Sequence, residues 1–139
     1  MITYESFSDR TKEYYAVYVP IHDGVPHLLV PLKVKFRGFY SDTFRNCKYL
    51  SVITPMRTTE YRCALEDNAF IRTNMKPRNM LQLTAYQCSW LPKGKLYVTE
   101  DKLLLTKYIR DFYRIECHLG RITARGTYQK VMNTLKQLK

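Results

Sequence analysis

The sequence contains few glycines and no long apolar run. Only 5 of its 139 residues are glycine and 12 are tyrosine, a composition typical of strands, where aromatic rings pack on a pleated surface. It has no stretch of about 18 apolar residues, and its first fifteen residues lack the apolar segment of a signal peptide. We therefore expect a cytoplasmic protein with no membrane partner.

The cysteines lack the close spacing of metal ligands. Cys47, Cys63, Cys88 and Cys117 lie far apart, and no C-x-x-C pair occurs. A zinc site needs paired ligands, because each pair turns two side chains toward the metal. Cys117 and His118 are neighbours, but adjacent residues on a helix diverge. We expect free, mostly buried thiols in a reducing compartment, and neither a metal nor another cofactor.

Acidic residues are outnumbered almost two to one. The chain has 12 Asp and Glu against 23 Lys and Arg, which gives a net charge of +11. Such an imbalance predicts attraction to polyanions, of which nucleic acid, DNA or RNA, is the commonest in cells. A basic surface that docks on an acidic protein is the alternative.

Alternating hydrophobicity predicts a mostly antiparallel sheet over residues ~13–99. Pro31 cannot donate a backbone hydrogen bond, so its part of the second strand is expected at an edge or a bulge. Residues 67–79 read as a loop with a short strand at 70–72. The strands are expected to form three hairpins: 13–21 with 26–40, 48–54 with 60–66, and 80–90 with 95–99.

The pattern changes to helical spacing after Thr99. Apolar residues from Leu105 to Leu119 form one stripe, and Thr99 and Gly120 are suited to cap the helix and to end it. The sequence thus predicts helices over ~100–119 and ~127–138. The expected architecture is α+β, with residues 1–139 in a single domain whose first ten or so residues could be flexible.

Two basic clusters are candidate nucleic-acid contacts. On the predicted strand 26–40, alternation places Lys33, Lys35 and Arg37 on one face, with Phe39 continuing it as a ring that could stack a base. Alternatively, these cations are simply the solvent-exposed side of an ordinary antiparallel strand. The second cluster lies on the helices and comprises Lys107, Arg110, Arg114, Arg121, Arg125, Lys130 and Lys136. Two basic clusters favour contacts to phosphates, with weak sequence preference.

The segment "HLGRITARGTYQKVMNTL" resembles the turn and second helix of a helix-turn-helix. The resemblance implies that Arg125, Thr127, Gln129, Lys130 and Asn133 supply side chains to bases or phosphates. An amphipathic helix that only closes the fold explains the same apolar spacing.

Two other classes of function stay open. "YVTEDK" resembles the metal-binding strand of restriction-endonuclease-like nucleases, which implies that Glu100 and Lys102, with Glu66 or Asp67, could serve a Mg²⁺-dependent nuclease. The acids equally complement the dipole of the following helix. A structural or assembly protein of a phage or virus particle also fits the composition. Non-enzymatic nucleic-acid binding, without catalytic residues, is the primary expectation.

Overall fold

The described chain consists of seven strands and three helices. The computed structural model describes residues 4–22, 25–26, 29–42, 47–54, 57–65, 79–86, 92–118 and 125–138. The helices are α1 (Tyr4–Phe7), α2 (Lys102–His118) and α3 (Arg125–Gln137). The strands are β1 (Tyr14–His22), β2 (Val25–Pro26), β3 (Val30–Asp42), β4 (Cys47–Thr54), β5 (Arg57–Leu65), β6 (Leu81–Tyr86) and β7 (Pro92–Thr99).

The strands form an antiparallel sheet that closes on itself. Its order is β2-β1-β3-β4-β5-β6-β7, and β7 also pairs with β1, so six strands form a barrel-like ring while β2 extends one end of β1. The three predicted hairpins are confirmed as the pairs β1–β3, β4–β5 and β6–β7. An α+β architecture with two C-terminal helices is likewise confirmed. The predicted loop lies outside the described residues, except for Asn79.

The position of Pro31 agrees with its missing donor group. Residues 30–34 of β3 pair with β1, and pairing with β4 begins only at Lys35. Pro31 therefore has a neighbouring strand on one side, as expected for a residue without an amide hydrogen.

The interior of the sheet is filled by alternate residues of the strands and by Phe7. The alternation predicted on β3 is confirmed, because Leu32, Val34 and Phe36 are buried. Phe7 is fully buried, with its ring centroid 5.4 Å from that of Tyr14 and 6.0 Å from that of Phe36. The Tyr14 hydroxyl donates to the Ser6 carbonyl at 2.6 Å. Phe7 and Ser6 thus join the N-terminal segment to the core.

A second core lies between the sheet and the helices. Val17 and Tyr97, on the outer side of β1 and β7, belong to this cluster together with α2 and α3. The predicted apolar stripes are confirmed where they are described. The buried helical residues are Leu105, Tyr108, Ile109, Phe112, Tyr113, Val131 and Leu135.

The residue that caps the start of α2 is Asp101, not the predicted Thr99. The Leu103 amide donates to Asp101 Oδ1 at 2.9 Å, which makes Asp101 the N-cap. Thr99 instead accepts the Asp101 amide on Oγ1 at 3.1 Å and shapes the preceding turn. Thr99 lies two residues before the N-cap, because β7 continues through it.

Cys63 should make the fold sensitive to alkali. It is a free, fully buried thiol, and burial raises its pKa; burial also raises the pKa of Tyr18. Below the pKa of the thiol in the unfolded chain, about 8.5, the thiol is neutral in both states and the full stability is present. Above that pH the unfolded chain ionises while the buried thiol stays neutral, so stability is lost as pH rises toward the pKa of the folded state. We expect the free energy of unfolding to fall above pH ~8.5 by up to about 1.4 kcal/mol per pH unit from this group.

Urea unfolding of the wild type and Cys63→Ala between pH 7 and 10 checks this expectation. The variant should lose less stability over that range, while Tyr18 adds to the loss in both proteins only above pH ~10. Equal pH dependence of the two proteins would show that the Cys63 thiol is not the titrating group.

Candidate nucleic-acid interface

The cations predicted on β3 are on the outer face of the sheet, and the first of them has partners. Lys33 Nζ lies 3.9 Å from Glu13 Oε2 and 5.1 Å from the centroid of the Tyr15 ring. Lys102 Nζ lies 5.9 Å from the same ring and donates to the Leu138 carbonyl. Tyr15 therefore connects the outer face of β3 with the start of α2 and the end of α3.

Arg37 is also held by an acid. Its Nη1 lies 3.3 Å from Glu60 Oε2, and Arg62 Nε lies 4.0 Å from Glu60 Oε1. Lys35 has no ion pair with a described residue and is half-buried. We call Lys33, Lys35 and Arg37 the sheet line. The charges of Lys33 and Arg37 are partly neutralised by the neighbouring acids.

Phe39 does not continue the sheet line, so this part of the prediction was wrong. The register of β3 against β4 shifts between Phe36 and Gly38, a β-bulge that changes which face each later residue occupies. Phe39 consequently pairs with the buried Leu50, and its ring centroid lies 5.0 Å from that of Phe36. It remains 42% exposed at the rim of the interior.

A row of three cations runs along the solvent side of α2. Lys107, Arg110 and Arg114 are exposed and lie on one stripe opposite the buried side chains. At 1.5 Å per residue the row spans roughly 10 Å, about three nucleotides along one strand of B-form DNA. Arg114 Nη2 lies 3.5 Å from Asp111 Oδ1, but Lys107 and Arg110 have no ion pair with any described residue.

The exposed side of α3 adds to this surface. Lys130 and Lys136 are exposed there, beside Gln129 and Asn133, whose amides hydrogen-bond to each other at 3.1 Å. The described side chains of α3 include no acid. We call the five exposed cations of the two helices the helical face: Lys107, Arg110, Arg114, Lys130 and Lys136.

The two helices run in opposite directions. The Tyr113 and Tyr128 ring centroids are 5.4 Å apart, and at the other ends Lys102 donates to the Leu138 carbonyl. A helix-turn-helix pair instead crosses at roughly 90–120°. With Val131 and Leu135 buried, the observed arrangement corresponds to the alternative, in which α3 closes the fold.

Several other predicted site residues, or their side chains, lie outside the described part of the chain. Arg121 lies outside the described residues, as do Glu66 and Asp67; Arg125 begins α3, and its side chain is outside the described part. Lys102 is engaged with Tyr15 and Leu138. Among the described residues, no group of three or more His, Cys, Asp or Glu side chains could hold a metal ion.

Sequence reasoning missed Arg62, Glu60 and Glu13 as part of the basic outer face. Arg62 and Glu60 lie two apart on the predicted strand 60–66, so a common face could have been inferred. Their meeting with Arg37 depends on the register across β4, for which the sequence carries no local signal.

The comparisons with known proteins give no relatives. No family model, no curated protein and no solved structure matches the chain. None of the helices in the described ranges combines the length and the apolarity that crossing a membrane requires.

Proposed function

We propose that this protein binds nucleic acid, mainly by contacts between the helical face and phosphates, with weak sequence preference. The observation that carries the proposal is the solvent side of α2, where three cations lie in a row over roughly 10 Å. Lys107 and Arg110, which have no ion pair with a described residue, can follow a sugar–phosphate backbone. Such cations supply sequence-independent affinity through counterion release.

The sheet line is proposed as a secondary contact. Glu13 and Glu60 lie close to Lys33 and Arg37, which lowers the attraction of this surface for a polyanion at long range. Phe39 lies at the rim of the interior, away from the sheet line, and is not part of this contact. Phosphate contacts therefore come first from the helices and second from the strand.

Binding across a salt series tests the proposal. We expect labelled single- and double-stranded oligonucleotides to bind at about 50 mM salt, with a log–log slope of roughly −3 to −5 for on the order of 4–6 phosphate contacts. Fluorescence anisotropy measures both quantities. Polyglutamate at equal charge concentration is the matched competitor: if it displaced the protein as well as nucleic acid does, an acidic protein partner would be the better account. Absence of binding at 50 mM would end the proposal.

A further inference from the structure

One exposed apolar side chain lies in line with the cations of α2. Among residues 102–115, the part of α2 whose side chains the structure describes, only Leu103 and three cations are exposed. The four residues follow one another at intervals of four, three and four, so they lie on one stripe of the helix. Leu103 is 78% exposed and belongs to neither core cluster of the described residues. We call the three cations of this stripe the α2 row: Lys107, Arg110 and Arg114.

The leucine end of this stripe is also its acidic end. Glu100 and Asp101 are exposed and lie just before α2, and the Leu103 amide donates to Asp101 Oδ1 at 2.9 Å. The α2 row begins about one helical turn beyond Leu103. A phosphate is therefore attracted by the α2 row and repelled by the two carboxylates near Leu103.

The rise of the helix sets the distance between Leu103 and the phosphate contacts. At 1.5 Å per residue, Leu103 precedes Lys107 by about 6 Å along the helix axis. Successive phosphates of one strand are about 3.4 Å apart along B-form DNA, so a strand bound on the α2 row reaches Leu103 with its next one or two nucleotides. Because the carboxylates repel the backbone there, the part of the nucleotide that contacts Leu103 is the uncharged base.

An apolar side chain contacts the face of a base only when that face is accessible. Leucine and other apolar side chains pack on bases that are unstacked from their neighbours. Inside an intact duplex both faces of a base are covered, whereas an unpaired base can be turned outward. The position of Leu103 therefore suits a single strand.

We propose that Leu103 packs on the face of an unpaired base when a single strand of nucleic acid is bound along the α2 row. The inference rests on the proposed function, because it requires phosphate contacts by the helical face, and it names single-stranded nucleic acid as the ligand of this surface. The α2 row holds the backbone by charge. Leu103 adds an apolar contact that does not depend on salt and that an intact duplex does not offer.

Three 5′-hydroxyl ligands test the contact: a single-stranded oligonucleotide, the corresponding duplex, and a strand of equal length whose sugars lack bases. We expect Leu103→Ala to weaken binding of the single strand about five- to tenfold, as partial burial of one leucine side chain implies. The affinities for the duplex and the abasic strand should change by less than about twofold, because neither offers the face of an unpaired base. Fluorescence anisotropy at about 50 mM salt measures all three.

Control variants separate an apolar contact from charge and from folding. Leu103→Met keeps an apolar side chain of similar volume and should retain most of the affinity for the single strand. Leu103→Ala removes no charge, so its log–log slope against salt should equal that of the wild type, whereas Lys107→Gln/Arg110→Gln should make the slope less steep for all three ligands. Leu103→Ala should also keep α2 intact, since the leucine is exposed and alanine is a stronger helix former.

The outcomes distinguish this contact from the proposed function. If the wild type binds with a steep salt dependence and Leu103→Ala binds every ligand equally well, the contact is overturned and phosphate binding stands. Equal losses for the single strand, the duplex and the abasic strand would also overturn the contact, because they would place Leu103 on the sugar–phosphate backbone. If no ligand binds the wild type at about 50 mM salt, the proposed function fails and the contact fails with it.

Discussion

Phe7→Ala is expected to destabilise the protein by about 3–5 kcal/mol, the usual cost of removing a fully buried phenyl ring. Phe7 fills the interior beside Tyr14 and Phe36, so truncation leaves a cavity between their rings. A domain of this size has about 5–15 kcal/mol of stability in total, so the loss is a large fraction of it. Urea unfolding followed by circular dichroism measures the effect.

Leu103→Ala is the matched control for Phe7→Ala. Leu103 lies on α2 and is 78% exposed, so its truncation should change the free energy of unfolding by no more than about 0.5 kcal/mol. A loss below about 1 kcal/mol for Phe7→Ala would mean that the N-terminal segment does not complete the core.

Lys107→Gln/Arg110→Gln should weaken binding to a 5′-hydroxyl oligonucleotide by roughly 50- to 200-fold at about 50 mM salt. The figure follows from two lost phosphate contacts, each contributing a log–log slope of about −0.7 to −0.9. Both residues are exposed and lie opposite the buried stripe of α2, so the variant should unfold like the wild type. Equilibrium anisotropy titrations give the affinities.

Lys33→Gln/Lys35→Gln also removes two positive charges, but from the sheet line. It is the control that separates the position of the charges from their number. Lys33 is already paired with Glu13, so we expect this variant to lose only a few-fold in affinity. Equal losses in the two variants would show that net charge, not the helical face, determines binding.

Features with a local period could be predicted from the sequence. Alternation on β3 and the apolar stripe of α2 gave the correct faces, because each residue's side is set by its neighbours along the chain. Val131 and Leu135 likewise indicated the buried side of α3.

Features that depend on distant pairing could not be predicted. Closure of the sheet joins Tyr15 to Thr99, and the Arg37–Glu60 pair depends on the register of three strands. The bulge before Gly38 reversed the expected face of Phe39, since a one-residue insertion changes the side of every later residue. Phe7 lies in a charged segment whose composition gave no indication of burial.

The salt dependence of binding, measured side by side for the wild type and Lys107→Gln/Arg110→Gln, tests the central claim most directly. We expect a wild-type log–log slope of roughly −3 to −5, which becomes less steep by about 1.4–1.8 in the variant. The slope of Lys33→Gln/Lys35→Gln should change by less. An unchanged slope in the helical variant would contradict the assignment of phosphate contacts to the helical face.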